Sequence, residues 1–314
     1  MIEIFGPSYR YQGEVLSQPE ILVIRDHHYD ETQRMFHVKE LLNNGVCDPN
    51  HHAIVFDHVL RHDDELKDYN LIYFPSFLAR ENMEFIQQNI VPDWKEKTHI
   101  FNFMINKPRP HRKFLLELIR RFELDNFCHS LAWRSNPVND ISVTDLKFGN
   151  EVVLDYGIKN GHYKNARTYQ LLLQKTIFEP TCVSLITEPA FYERETIVTE
   201  KTLMAIYGGT MPIWVGGWRI ADYMCEQGFD VFADIVDHSY QTLSDPWDRC
   251  AQAIQLNQKI LKDPSLIKSF VSQHQDRLIK NVELLQQNIF NKQCHTSLQN
   301  CPARISAELK KFWG

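Results

Sequence analysis

"YERETIVTEKTLMAIYGGTMPIWVGG", residues 192–217, holds one complete helix–turn–strand step, and its reading sets the fold class of the chain. Thr199 stands before Glu200-Lys201 and an apolar run. That is a helix start, because a Thr in this place accepts a hydrogen bond from an otherwise unpaired first-turn N–H. The helix reads over 199–209 and stops at Gly208-Gly209, and "MPIWVGG" (211–217) follows as a strand. "TCVSLITEP" (181–189), just upstream, is another apolar strand. Strands alternating with helices predict a parallel sheet covered on both faces.

The same rhythm runs outward. Toward the C-terminus, "RIADYMCEQG" (219–228) reads as a helix closed by Gly228, and "FDVFADIV" (229–236) as a last short strand. Residues 245–292 are mostly helical, with a break near Pro264. Toward the N-terminus, "ARTYQLLLQKTIFEP" (166–180) begins as a helix and ends extended, and 134–165 reads as a long loop or short helices. Strands follow at 127–133 and 99–106, on either side of an amphipathic helix over 110–124. "DWKEK" (93–97) is a polar break. Before it come a helix over 79–91, strands at 69–77, 52–59 and 20–26, and a helix over 31–44. The expected architecture is α/β: two parallel-sheet units, 1–97 and 98–260, then a helical tail, 261–314.

Composition bounds the function. The 314 residues suffice for two domains, and 43% hydrophobic with 24% charged residues excludes a disordered chain. A net charge of -6 gives no global basic field for nucleic acid or anionic lipid. Seven irregularly spaced Cys without a C-x-x-C point to reduced thiols, although Cys294 and Cys301 are near enough in sequence to pair. "MIEIFGPSYRYQGEV" lacks a basic segment followed by an apolar one, and no apolar run approaches the ~18 residues of a membrane span. The expectation is a cytoplasmic protein with no transmembrane segment and no nucleic-acid partner.

Two helix starts carry the chemistry. A helix N-terminus offers unpaired N–H groups and partial positive charge to phosphate oxygens, and Lys201 adds a full charge at the same end. Glu200 is suited to sugar hydroxyls, as acidic residues serve ribose in dinucleotide folds. A capped helix without ligand satisfies the same residues. The other start is "MINKPRPHRKF" (104–114), where Lys107, Arg109, His111, Arg112 and Lys113 gather at a strand-to-helix junction. Basic side chains are disfavoured there by the helix dipole, so a bound anion accounts for them better than folding does; a solvated basic turn is the alternative.

These residues carry a resemblance. "VSLITEPAFYERETIVTEKTLMAIYGGTMPIWVG" (183–216) looks like the donor-binding segment of the alpha-1,3-fucosyltransferases and related GT-B glycosyltransferases. Glu188 matches the family's strand-end Glu, Thr199-Glu200-Lys201 its Thr-Glu-Lys, and Gly208, Gly209, Pro212 and Gly216 the following turn and strand. "FNFMINKPRPHRKFLLELI" (101–119) is similar to the first strand and helix of the family's C-terminal domain, which carries over Asn106, Arg109 and Arg112. "GFDVFADIVDHSYQTLSDPWDRCAQAIQ" (228–255) resembles the segment after the donor site. The likeness spans roughly residues 99–257. Where the family has Glu-Asn, this chain has Glu188-Pro189.

The resemblance implies a GT-B fold, two Rossmann-like domains with the nucleotide sugar in the C-terminal one. It implies metal-independent transfer from a GDP- or UDP-linked sugar, with Asn106, Arg109, Arg112, Thr199, Glu200 and Lys201 at the donor and Glu188 at the catalytic centre. The nucleotide sugar is a co-substrate, and no cofactor is expected. An inverting transfer needs a base for the acceptor hydroxyl. Asp26, His27 and His28, just after a strand, are the candidates, and Asp26 is the one chosen. The acceptor, a glycan, lipid, small molecule or protein, is not encoded in any motif. A catalytically inactive nucleotide-binding or scaffold protein of the same fold is the alternative.

Other constellations carry less. His58 and His62 lie four apart beside Asp57, Asp63 and Asp64, but there is no evident third ligand, so a polar surface helix is expected there and no metal site. "GGTMPIWVGGW" (208–218) is neither a dinucleotide fingerprint nor a phosphate loop, and its glycines read as turns. Phe191, Tyr192 and Trp218 are expected either to stack on a ligand or to pack the core.

Overall fold

A computed structural model describes residues 2–5, 21–25, 53–56, 70–105, 110–132, 150–152, 174–188, 191, 196–301 and 303–313. The helix expected over 31–44 and the His58/His62 pair lie outside them.

The first sheet has four strands: β1 (Ile2–Phe5), β2 (Ile21–Arg25), β3 (Ala53–Phe56) and β4 (Asn70–Tyr73). They are paired in parallel in chain order, with Ile2 opposite Leu22, Ile21 opposite Ala53 and Ala53 opposite Asn70. β4 ends sooner than the sequence pattern suggests. Pro75 cannot donate to a strand ladder, and helix α1 (Ser76–Gln87) starts immediately after it.

The second sheet follows: β5 (His99–Ile105), helix α2 (Pro110–Arg121), β6 (Cys128–Ala132), β7 (Asn150–Val152), β8 (Thr181–Thr187), helix α3 (Glu200–Tyr207) and β9 (Met211–Val215). All pairings are parallel and the strand order is β7-β6-β5-β8-β9. Helix α4 (Ile220–Glu226) comes next, then α5 (Pro246–Leu256), α6 (Gln258–Leu261), α7 (Ser265–Gln286), α8 (Ile289–Asn300) and α9 (Ala303–Trp313).

β8 and β9 are buried along their whole length, as strands covered on both faces must be. Along β9, Ile213 and Val215 join one core cluster with Phe101 and Phe103 of β5, while Trp214 joins the other. That second cluster runs from Tyr207 of α3 through Phe290 of α8 to Phe85 of α1 and Ile72 of β4, so the C-terminal helices close over the last layer of the first sheet. Asn82 of α1, fully buried, pins the junction. It donates to Leu285 O at 2.7 Å and Asn288 Oδ1 at 3.2 Å, and accepts from Tyr207 Oη at 3.0 Å.

Three expectations are corrected. The stretch over 134–165, expected as a long loop or short helices, contains β7, which pairs with β6 from His129↔Asn150 to Leu131↔Val152. Residues 174–178 form a π-helical turn instead of an extended run, and the Thr181 hydroxyl takes up the carbonyls of Ile177 and Phe178. No strand forms over 229–236. The Asp230 N–H goes to Asn281 Oδ1, the Phe232 N–H goes to the Asp230 carboxylate, and Phe232 adopts φ 58°, so the backbone donors are spent in a turn. Cys294 and Cys301 are free thiols.

Candidate functional site

The order β7-β6-β5-β8-β9 places two central strands, β5 and β8, side by side while their connections leave in opposite directions. Such a reversal opens a crevice beyond the carboxyl ends of the strands, where ligands of open α/β sheets bind. Two helix starts face this end of the sheet: α2 at Pro110, after β5, and α3 at Glu200, after β8.

The last residue of β8 and the one after it grip both starts. Thr187 takes Arg112 from α2: Nε donates to Thr187 Oγ1 at 3.2 Å and Nη2 to Thr187 O at 3.4 Å. Arg112 is 4% exposed, so a first-turn cation stands buried across the switch point. His111, from the same turn, stacks on Phe191 with ring centroids 4.6 Å apart. Phe191 meets the edge of Trp247 at 4.9 Å, and Arg249 Nη2 donates to its carbonyl at 2.7 Å. Phe191 and Trp218 are both buried in packing.

Glu188 takes α3. Its carboxylate is 0% exposed and accepts three hydrogen bonds: Thr199 N–H to Oε1 at 2.9 Å, Thr202 Oγ1 to Oε1 at 2.8 Å, and Thr199 Oγ1 to Oε2 at 2.5 Å. Burial pushes this carboxyl above its ordinary value, while the Lys201 charge and the Thr199 hydrogen bonds pull against burial. Thr199 is the N-cap of α3, and its Oγ1 accepts from the Lys201 backbone N–H at 3.5 Å.

Lys201 and Glu200 stand at the mouth. The Lys201 ammonium donates to Glu200 Oε1 at 2.9 Å and to Thr199 Oγ1 at 3.2 Å. The side chains keep 16% and 30% exposure. Burial works to raise the Glu200 carboxyl, but the Lys201 charge and hydrogen bond, with those from the α3 start, outweigh it and hold Glu200 below its ordinary value. An ammonium has three donors. Two are engaged among the described residues.

The structure therefore brings Arg112, Glu188, Thr199, Glu200 and Lys201 to one end of one sheet. Asp26, Asn106, Arg109 and Tyr192 lie outside the described residues. Thr187, Thr202 and Trp214 were not anticipated from sequence, yet the three-residue spacing of Thr199 and Thr202 puts both hydroxyls on one helix face, and that signal was available. The segment after β9 also finds its place. Tyr240 Oη donates to Trp214 O at 2.8 Å, and Arg249, 2% exposed, donates to Leu243 O at 2.8 Å and Ser244 O at 3.3 Å. Among the described residues, no group of three or more His, Cys, Asp or Glu is placed to hold a metal ion, and no helix is long and apolar enough to cross a membrane. Comparison with protein-family models, curated proteins and solved structures finds no match for this chain.

Proposed function

We propose that this chain is a GT-B glycosyltransferase, similar to the fucosyltransferases, that transfers a sugar from a GDP- or UDP-linked donor with inversion and without a metal. The observation that carries the proposal is the convergence of Arg112 and Lys201, from two different helix starts, on the switch point between β5 and β8. The two parallel sheets, with α8 returning to pack on α1 and β4, support a two-domain GT-B arrangement.

In the reaction, the acceptor oxygen bonds to the anomeric carbon as the bond from that carbon to the diphosphate oxygen breaks. The departing electron pair stays on the diphosphate. Lys201 and Arg112, with Arg109 and Asn106 close to Arg112 in sequence, are suited to receive that charge where it develops. Thr199, whose N–H and hydroxyl both go to Glu188, orders the α3 start at the donor, and Glu200 offers an acceptor for a ribose hydroxyl. The acceptor proton passes to a base, for which Asp26 is the candidate.

Lys201→Met tests this. A charge-assisted hydrogen bond contributes about 1.5–3 kcal/mol, so affinity for GDP or UDP is expected to fall roughly tenfold to a hundredfold. Unchanged affinity would contradict the assignment. A second reading, an inactive nucleotide-binding or scaffold protein, is favoured by one observation: Lys201 is already paired with Glu200, and Arg112 with Thr187. Saturable nucleotide-sugar binding with no turnover across a broad acceptor panel would support it.

A further inference from the structure

The most tightly built part of this site is a carboxylate that the proposed transfer step does not use. Two hydrogen-bond chains end on Glu188, and each begins on a group that can only donate. One runs from the Trp214 indole N–H to Thr202 Oγ1 at 2.9 Å and from there to Glu188 Oε1 at 2.8 Å. The other runs from the Lys201 ammonium to Thr199 Oγ1 at 3.2 Å and from there to Glu188 Oε2 at 2.5 Å. A hydroxyl has one proton and two lone pairs. Both Glu188 oxygens accept in this arrangement, so the carboxylate draws the Thr199 proton inward and turns the lone pairs of Oγ1 toward Lys201. An amide in place of Glu188 would offer N–H to the same hydroxyl, release its proton toward the ammonium and break the contact.

We propose that Glu188 is a positioning residue for Lys201: acting through the Thr199 hydroxyl, this buried carboxylate anchors the ammonium at the mouth of α3 and leaves its remaining N–H for the anion. The hydrogen-bond half of this proposal stands on the geometry alone, and the ligand half rests on the donor-site reading above.

The test uses the full chain, with the Lys201 side-chain amino group followed by NMR and identified by its loss in Lys201→Arg. In Glu188→Gln the amino signal is expected to move and its protons to exchange at least about tenfold faster, with a drop of about tenfold in affinity for GDP or UDP. Thr199→Ser, which keeps the hydroxyl, should retain the wild-type signal, and Thr199→Val should lose it. Thr202→Val removes a bond to the same carboxylate outside the Lys201 chain. It should lower the melting temperature and leave the Lys201 signal in place, which separates positioning from a general loss of structure. A wild-type Lys201 signal in folded Glu188→Gln would overturn the proposal. Should that variant not fold, identical Lys201 signals in Thr199→Ser and Thr199→Val would overturn it instead. If the signal moves as expected but the wild type binds neither GDP nor UDP, the donor-site reading fails while the positioning role stands.

Discussion

Lys97→Met should change how stability depends on pH, by an amount that follows from where Lys97 sits. The residue belongs to a stretch that is polar in sequence, yet it is 3% exposed. Its ammonium donates to Glu179 O at 2.8 Å and Gly208 O at 2.9 Å and lies 5.6 Å from the centre of the Phe270 ring. Burial lowers it from 10.5 to about 8. Each tenfold change in proton affinity corresponds to about 1.4 kcal/mol, so the whole depression amounts to roughly 3 kcal/mol. Between those two pH values the unfolded chain holds a proton on Lys97 that the folded chain has released. Stability from this group therefore rises with pH, is complete above the unfolded value, and is lost as pH falls through the folded one. Met has no such dependence, and the other lysines cancel in the difference between the two proteins. Urea unfolding at about pH 7.5 and about pH 10.5 should show the wild type gaining roughly 3 kcal/mol on Lys97→Met across the interval. The carbonyls left unpaired by Met shift the whole difference curve without changing its slope. A flat difference, or one that shrinks as pH rises, would refute the buried-ammonium account.

Gly208→Ala places a Cβ 2.4 Å from Phe178 Cβ, an atom with no rotamer to escape into, and the expected loss is about 2 kcal/mol in urea unfolding. A neutral result would contradict the close approach. Asn82→Ala removes three buried hydrogen bonds between α1, α3 and the α7–α8 junction and should cost about 3 kcal/mol, against about 1 for Tyr207→Phe. Arg277 hydrogen-bonds Asp230 and Asp234 and holds both carboxyls below their ordinary values. That stability is present at neutral pH and lost as pH falls through the folded values, so the gap in melting temperature between wild type and Arg277→Gln should narrow as pH falls below the ordinary aspartate value of about 3.9. A gap independent of pH would contradict the assignment.

Much of the fold was legible because burial on both faces leaves an apolar run in the chain. "TCVSLIT" and "MPIWV" are such runs, and both are fully buried strands. Thr199 was legible as a cap because capping is local, and Asp245 caps α5 in the same way, accepting from the Asp248 N–H at 2.8 Å. What escaped depends on distant partners. β7 is only Asn-Glu-Val and owes its strand character to β6. "FDVFADIV" looks like a strand until Asn281, fifty-one residues later, claims its backbone. Lys97 looks solvated until β8, α3 and α7 close over it. At the site, the positions of Arg112, Glu200 and Lys201 were readable from helix-start chemistry. The burial of Glu188 was not, since it comes from Thr199, Thr202 and Trp214 meeting across a loop and a strand.

The most direct test of the central claim is a thermal-shift comparison of GDP, UDP, ADP, CMP and dTDP, each with and without Mg²⁺. A ligand that binds only the folded chain raises its midpoint by mass action. The account predicts a rise with GDP or UDP that is the same with and without the metal and is lost in Lys201→Met. No rise with any of the five nucleotides, from protein that unfolds cooperatively, would contradict a diphosphate site at the β5–β8 switch point.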